Sequence, residues 1–281
     1  MPGMISSELV LVKHESMMRF GVFFGILVLI RVWETLAPCR RPAAPQVMRW
    51  FSNVGLLVVG TAMLRAIFPL AAVGVATIAQ AQQWGLFYLI TLAPWQTIVL
   101  SIIFLDFATY LQHILFHTLP ILWRFHKIHH ADLDFDVTTG LRFHPIEILL
   151  SMVGKATIVV LLGAPAVAVL MFELILNATS MFNHGNVRLP ANLEPVLRLG
   201  VVTPDMHRIH HSSLAAETNS NFGFNIPWWD HLFGTYRASP AIGHQEMPLG
   251  LAEYENDLRM AQLPWMLLCP LFQKPGTPVK F

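Results

Sequence analysis

Charge is the first thing this sequence lacks. Only 12% of its 281 residues are Asp, Glu, Lys or Arg, against about 25% in an ordinary soluble domain. At the same time 54% are hydrophobic and the mean hydropathy is +0.54. That balance excludes an intrinsically disordered chain and argues against a soluble enzyme. Positive charge is not in excess: 18 basic against 17 acidic residues leave a net +1, so no nucleic-acid partner is expected. Cysteine is nearly absent. Cys39 and Cys269 are the only two, too few for a disulfide framework or a cysteine-ligated zinc or iron–sulfur site. Internal repeats of the solenoid kind and low-complexity tracts are also missing. What is abundant is histidine: 13 in all, ten of them from His113 to His211.

Four stretches approach the roughly 20 apolar residues that a helix needs to cross a bilayer: 17–36, 51–75, 84–105 and 146–176. In the first, Arg31 can snorkel to the interface and Trp33 suits the aromatic belt. The second contains Arg65 and Pro69, and the third contains Pro94, which reads as a kink. The fourth is too long for one plain span, and Gly163-Ala164-Pro165 at its middle predicts a helical hairpin that enters and leaves on one side. Any one such stretch is compatible with a buried core helix; four in one chain predict an integral membrane protein. The first run is too long, and its flank too poor a cleavage context, for a signal peptide. Arg40, Arg41 and Arg49 follow the first span, whereas no Lys or Arg occurs between Ala66 and Leu105. Basic loops stay in the cytoplasm, so the third span should end there and everything from Asp106 onward should lie on that side; Lys13 and Arg19 pull mildly the other way. From about residue 177 the chain turns polar, and prolines at 190, 195, 204, 227, 240, 248 and 264 preclude long helices. The expected architecture is all-α, with about four spanning or hairpin segments in a single integral domain over 1–281. Membrane helices occupy 17–105, a histidine-rich cap that includes the hairpin 146–176 occupies 106–240, and 241–281 forms a tail.

The histidines recur at helical spacing. His113 and His117 form H-x3-H; His126, His129 and His130 form H-x2-H-H; His207, His210 and His211 repeat H-x2-H-H. Positions i, i+3 and i+4 share one face of a helix, so each box presents two or three imidazoles from one stripe. A lone histidine on an apolar helix is ordinarily a hydrogen-bonded core residue, and clustered histidines also occur on interfacial helices. Eight in three boxes just past membrane segments point instead to metal, and they outnumber the three or four ligands of one tetrahedral zinc. Two ions held mainly by nitrogen use them all. Imidazole suits zinc, copper, iron and nickel alike, and spacing does not separate iron from zinc. The H-E-x-x-H of metalloproteases is absent.

The order of these boxes resembles the fatty acid hydroxylase (sterol desaturase) superfamily of membrane di-iron oxygenases, in its bacterial form. The flanking residues carry the same resemblance: Leu105-Asp106-Phe107 before the first box, Leu122-Trp123-Arg124-Phe125 entering the second, Arg142-Phe143-His144-Pro145-Ile146-Glu147 after it, then Asn183-His184-Gly185-Asn186, Thr203-Pro204-Asp205-Met206 and Trp229-Asp230-His231-Leu232-Phe233-Gly234-Thr235-Tyr236. The likeness covers roughly residues 92–236. Ile114 stands where the family commonly has an arginine, which removes a local salt bridge and no ligand. The resemblance implies a membrane helix base carrying a cytoplasmic histidine site, in a bacterial inner membrane. It implies O2-dependent hydroxylation or desaturation of an unactivated C–H bond in a membrane lipid by two iron ions, with electrons from a separate ferredoxin- or cytochrome-type protein because no fused cytochrome b5-like segment is seen. The eight boxed histidines match the family's ligand positions, His184 matches a further one, and His144 matches an optional ligand or a supporting position. A zinc-dependent membrane lipid hydrolase and a non-catalytic metal-binding membrane protein are the competing readings.

Around the boxes, Asp106 lies two helical turns before His113 and is placed to orient a ligand ring through its second nitrogen; Asp205 and Glu147 are weaker candidates for the same task. Phe104, Phe107, Trp123 and Phe125 are expected to line an apolar slot for the lipid chain. Asp132, Asp134 and Asp136 lack an EF-hand's glycine and terminal glutamate and read as a solvated loop. Asn219 to Gly223 reads as turn chemistry. His14, His231 and His244 stand outside the pattern.

Overall fold

The structure, a computed structural model, describes residues 12–42 and 45–272. Helices α1 (Glu15–Leu36), α2 (Gln46–Ile67), α3 (Ala71–Ala81), α4 (Pro94–Thr118), α5 (Pro120–His130), α6 (Pro145–Leu162) and α7 (Ala166–Asn183) come first; the short α8 (Pro204–His210), α9 (Trp228–Phe233) and α10 (Leu263–Phe272) follow. The fold is all-α, with no strands among the described residues beyond two isolated bridges. Five helical stretches are long and apolar enough to cross a membrane: α1, the α2–α3 stretch, α4, α6 and α7. The hairpin read within 146–176 resolves as two 18-residue helices, α6 and α7, each about 27 Å long.

Proline sets where several of these helices begin. Pro94, Pro120, Pro145 and Pro204 each occupy the first helical position, where a missing N–H costs nothing. Pro94 therefore starts α4 and does not kink it: the expected span 84–105 is a loop with a single 3-10 turn at Leu86–Tyr88, followed by a helix that runs on through His113 and His117. Likewise 51–75 is not one helix. α2 stops at Ile67, and the chain turns through Pro69 before α3 begins. At this far end two glycines let the loops touch. A Cβ on Gly85 (φ +108°) would sit 2.1 Å from the Gly163 amide nitrogen, and one on Gly163 (φ +70°) 2.4 Å from the Trp84 carbonyl.

Outward faces are apolar: Phe20, Phe24 and Val28 of α1, Phe51 and Val58 of α2, and Trp95 and Val99 of α4 are all exposed, as suits helices in lipid. Inward, Ala72, Val73 and Ala76 of α3 pack with Val159 and Leu162 of α6 and Val169 and Phe172 of α7. Glu173 of α7 accepts from Arg19 of α1 and Lys155 of α6, each at 2.6 Å. Charges at this depth are tolerated because they satisfy one another.

The C-terminal ends of α1, α4 and α7 and the N-terminal ends of α2 and α6 carry the cap. Glu34 near the end of α1 accepts from the amides of Val137 and Asn186 at 2.7 and 2.9 Å. Arg49 of α2 donates to Asp132 at 2.6 Å and to Asp136 at 2.8 Å, and Asn53 bonds Asp132 and Thr138. The 132–136 segment is thus not a solvated loop. Asp132, Asp134 and Asp136 are all buried, and a buried carboxylate needs such partners. Arg49, which reads as a loop charge in the sequence, is fully buried in this clamp.

Candidate metal centre

The three boxes fold as their spacing predicts, and each is helical for a local reason. His113 and His117 ride the last turns of α4; His126, His129 and His130 end α5, which Pro120 opens. In α8 the Thr203 hydroxyl caps the helix by accepting from the Met206 amide, presenting His207, His210 and His211. His184 follows the last residue of α7. The cap folds these segments onto one another so that nine buried imidazoles converge in two groups. His113, His117, His126, His130 and His210 form the first; His129, His184, His207 and His211 form the second; within each, one ring nitrogen per residue lies within 4.8 Å of all the others. Both H-x2-H-H boxes divide between the groups. The i, i+4 pair of the second box joins the first group and the i, i+4 pair of the third box joins the second, while His129 and His210 cross over.

Hydrogen bonds on the outer nitrogens fix what the inner ones can do. His113 Nδ1 donates to the Phe222 carbonyl (2.8 Å), His210 Nδ1 to the Ser220 carbonyl (2.8 Å), His184 Nδ1 to the Ser180 carbonyl (2.7 Å) and His126 Nδ1 to Glu147 Oε1 (2.7 Å). A carbonyl or an ionised carboxylate can only accept, so these rings carry their proton on Nδ1, and Nε2 is left with a bare lone pair. Yet His113 Nε2 lies 3.2 Å from His126 Nε2 and 3.0 Å from His210 Nε2. No proton is available to bridge these three lone pairs. Two nitrogens about 2.1 Å from one cation and at right angles to it lie about 3.0 Å apart, so a shared cation satisfies this arrangement. In the second group His184 Nε2 lies 3.2 Å from His129 Nε2 and 3.1 Å from His207 Nε2. Both ring nitrogens of His117 and of His130 are buried without a hydrogen-bond partner, a costly state that coordination relieves. Burial holds six of these imidazoles in the neutral form that metals require: the pKa of His184 falls to about 4 and that of His210 to about 3, while those of His129, His130, His207 and His211 lie well below the ordinary value, through burial first and neighbouring histidines second.

Of the supporting carboxylates, Glu147 touches a clustered ring and the other two do not. Asp106 accepts from the Trp229 indole at 2.8 Å, and Asp205 pairs with Arg208 at 2.6 Å. His144 is not brought to the cluster either. It caps α6, its Nδ1 accepting from the Ile146 amide, and its Nε2 faces the Leu267 carbonyl at 3.2 Å. Of the expected slot residues, Trp123 lies against His117 and His130, Phe125 against His144, and Phe107 against Trp229, while Phe104 is exposed on α4. Sequence reasoning missed Asp230. This fully buried carboxylate accepts from the Phe222 and Gly223 amides, both at 2.8 Å, and from Thr235 Oγ1 at 2.6 Å. It thereby holds the loop whose Phe222 carbonyl fixes His113. The carbonyls of Phe222, Ser220 and Ser180 were also unreadable, because main-chain acceptors leave no mark in side-chain identity.

A helical membrane base that gathers nine histidines into two nitrogen-only groups defines a membrane metal-site protein. Residues 98–235 match the fatty acid hydroxylase family model. The chain is 30% identical to the ornithine lipid hydroxylase OlsE of Rhizobium tropici over 235 residues, 78% of this chain and 67% of that one. It is 29% identical to the alkylglycerol monooxygenase of Homo sapiens over 56% of this chain and 34% of the relative, and 28% identical to that of Xenopus tropicalis over 66% and 41%; these two matches span well under half of the monooxygenases' length. No solved structure matches. The chain belongs to the fatty acid hydroxylase family, and its relatives are lipid hydroxylases and monooxygenases.

Proposed function

We propose that the protein is an O2- and electron-dependent oxygenase that hydroxylates an unactivated C–H bond in the hydrocarbon part of a membrane lipid, at two iron ions held by nine histidines. The observation that carries this reading is the facing of Nε2 lone pairs, 3.0–3.2 Å apart, in both histidine groups. A di-iron centre supplies O2 activation and the removal of hydrogen from an unactivated carbon. The chain's own residues do the rest. His113, His117, His126, His130 and His210 would hold one ion, and His129, His184, His207 and His211 the other. Glu147 fixes the tautomer of His126 and raises the basicity of its Nε2. The Phe222, Ser220 and Ser180 carbonyls do the same for His113, His210 and His184. Rings of Trp123, Phe222, Phe143 and Phe135 pack on the imidazoles and exclude water from the reacting carbon.

The relatives' names favour hydroxylation over desaturation, and a lipid with a polar headgroup and an alkyl or acyl chain over a sterol. Electrons come, in this reading, from a separate ferredoxin- or cytochrome-type protein on the cytoplasmic face of a bacterial inner membrane. The test is to purify the protein anaerobically, measure its bound metal, and follow added membrane lipid by mass spectrometry with O2 and a reductant. Bound iron and a lipid gaining one oxygen atom are expected. Zinc with O2-independent lipid cleavage would instead make it a hydrolase, and firmly bound metal with no lipid change a non-catalytic metal protein.

A further inference from the structure

One apolar patch on the cap is left uncovered. Val196 and Leu199 are 60% and 72% exposed, and Trp228, Leu232 and Phe233 of α9 are 54%, 69% and 52% exposed. The Trp228 indole donates to the Leu199 carbonyl at 2.7 Å, which joins the two segments into one surface. A patch of this kind on a folded protein marks a contact surface, and its depth identifies the contact.

Three residues on one face of α4 each bond the segment 222–235: His113 with the Phe222 carbonyl, Tyr110 with Thr235 Oγ1 at 2.9 Å, and Asp106 with the Trp229 indole. From His113 back to Asp106 is seven residues, about 10 Å along the helix. The cap therefore descends α4 by that distance below the level of the histidines. Counted from Pro94, the roughly 20 residues that cross a hydrocarbon core of about 30 Å end near His113. α9 lies on the membrane side of that level. Its inner edge continues the apolar face of α4, with Phe233 stacked on Phe107 and Tyr110 at 5.7 Å each. His231 shares the outward turn with Trp228 and Leu232, its ring stacked on Tyr236 at 3.9 Å; aromatic rings with one polar edge suit the headgroup boundary.

We propose that α9 and the 196–199 turn form a foot of the cap that is immersed in the bilayer crossed by α4, with lipid at the boundary of headgroup and hydrocarbon covering the exposed patch. The foot is independent of what the histidines bind. It is linked to them indirectly, because Asp230 of α9 holds the loop whose Phe222 carbonyl fixes His113. Lipid anchors one end of that linkage.

The test uses the full chain in phosphatidylcholine–phosphatidylglycerol vesicles, with a nitroxide label at L232C, at V196C, or at A216C, an exposed position of the cap outside the patch. The unsubstituted protein, whose Cys39 and Cys269 are buried, serves as the labelling blank. Relaxation by O2, which enters hydrocarbon, is compared with relaxation by a water-soluble nickel chelate, which does not. The O2-to-nickel ratio at residues 232 and 196 should exceed that at 216 by about tenfold, since the polar chelate partitions strongly out of an apolar phase. Equal ratios at all three positions would overturn the foot. So would protection of 232 and 196 from both reagents, the sign of a protein partner covering the patch.

Discussion

The two histidine groups are built from the same residue type yet are held in different ways. The first has five imidazoles, and three of them have Nδ1 anchored, two by carbonyls of the 220–222 loop and one by Glu147. The second has four, of which His184 is anchored through Nδ1 while the Nδ1 atoms of His129 and His207 have no hydrogen-bond partner. The first group leans on α4 and the loop that Asp230 clamps. The second leans on the end of α7 and the turn at Thr139–Leu141, which the Arg49 clamp holds: Arg49 reaches Thr139 Oγ1 at 3.4 Å, and Ser180 Oγ donates to the Gly140 carbonyl at 3.3 Å. A directly hydrogen-bonded ligand set and a set held by packed backbone should respond differently to substitution.

The largest effect separates the groups outright. His210→Ala removes the residue whose Nε2 faces His113, and His207→Ala removes the one facing His184. Each variant should lose lipid oxidation to background and retain about half the bound metal of the parent, with membrane insertion intact; elemental analysis with Mössbauer spectra should show a different residual site in each. Retention of full activity in either would remove that residue from the ligand set. Next, Arg49→Met leaves Asp132 and Asp136 buried without their cation, a loss of about 3–5 kcal/mol in stability. Metal should be depleted from the second group before the first, and a thermal melt with metal analysis at each step checks both.

Glu147→Gln tests the carboxylate that the first group has and the second lacks. The amide keeps an acceptor but not the charge, so affinity or activity should fall by about 10–100-fold while the melting temperature moves little. An equal loss of metal from both groups would break the comparison.

Much of this was legible in the sequence. The i, i+3, i+4 spacing placed each box on a helix, Gly163-Ala164-Pro165 predicted the hairpin, and Glu147 stood near enough to a box to be singled out. What failed did so for identifiable reasons. Asp106 shares a helix with boxed histidines, but spacing along a helix does not say what folds against it, and its partner proved to be Trp229; Asp205 pairs within its own helix, with Arg208 at i+3. The alternating aspartates of 132–136 read as solvated because their cation, Arg49, lies more than eighty residues away. Pro94 reads as a kink within a span but starts a helix, and the span that contains Pro69 is broken into two helices there, because proline fits the first turn of a helix and not its interior. How two H-x2-H-H boxes divide between two histidine groups is a tertiary property that no single box encodes.

Asp230→Asn carries the smallest expected effect and sharpens the comparison most. Asp230 accepts from three donors at once, the amides of Phe222 and Gly223 and the hydroxyl of Thr235. Asparagine presents one acceptor oxygen and turns its NH2 toward one of those donors. The 222–223 loop loosens, and the Phe222 carbonyl no longer fixes the plane of the His113 ring. Asp230 touches no reacting atom in this scheme, so its role is positioning, and the loss should be about tenfold in activity, the lower end of what a supporting hydrogen bond to a ligand contributes. A purely structural role would lower the melting temperature and leave the metal spectrum of the folded fraction unchanged. Positioning predicts the opposite: a near-parental melt and a spectrum altered at the first group only. Should the second group's spectrum shift instead, the assignment of the 222–230 loop to the first group would be wrong, and with it the distinction between the two ways the histidines are held.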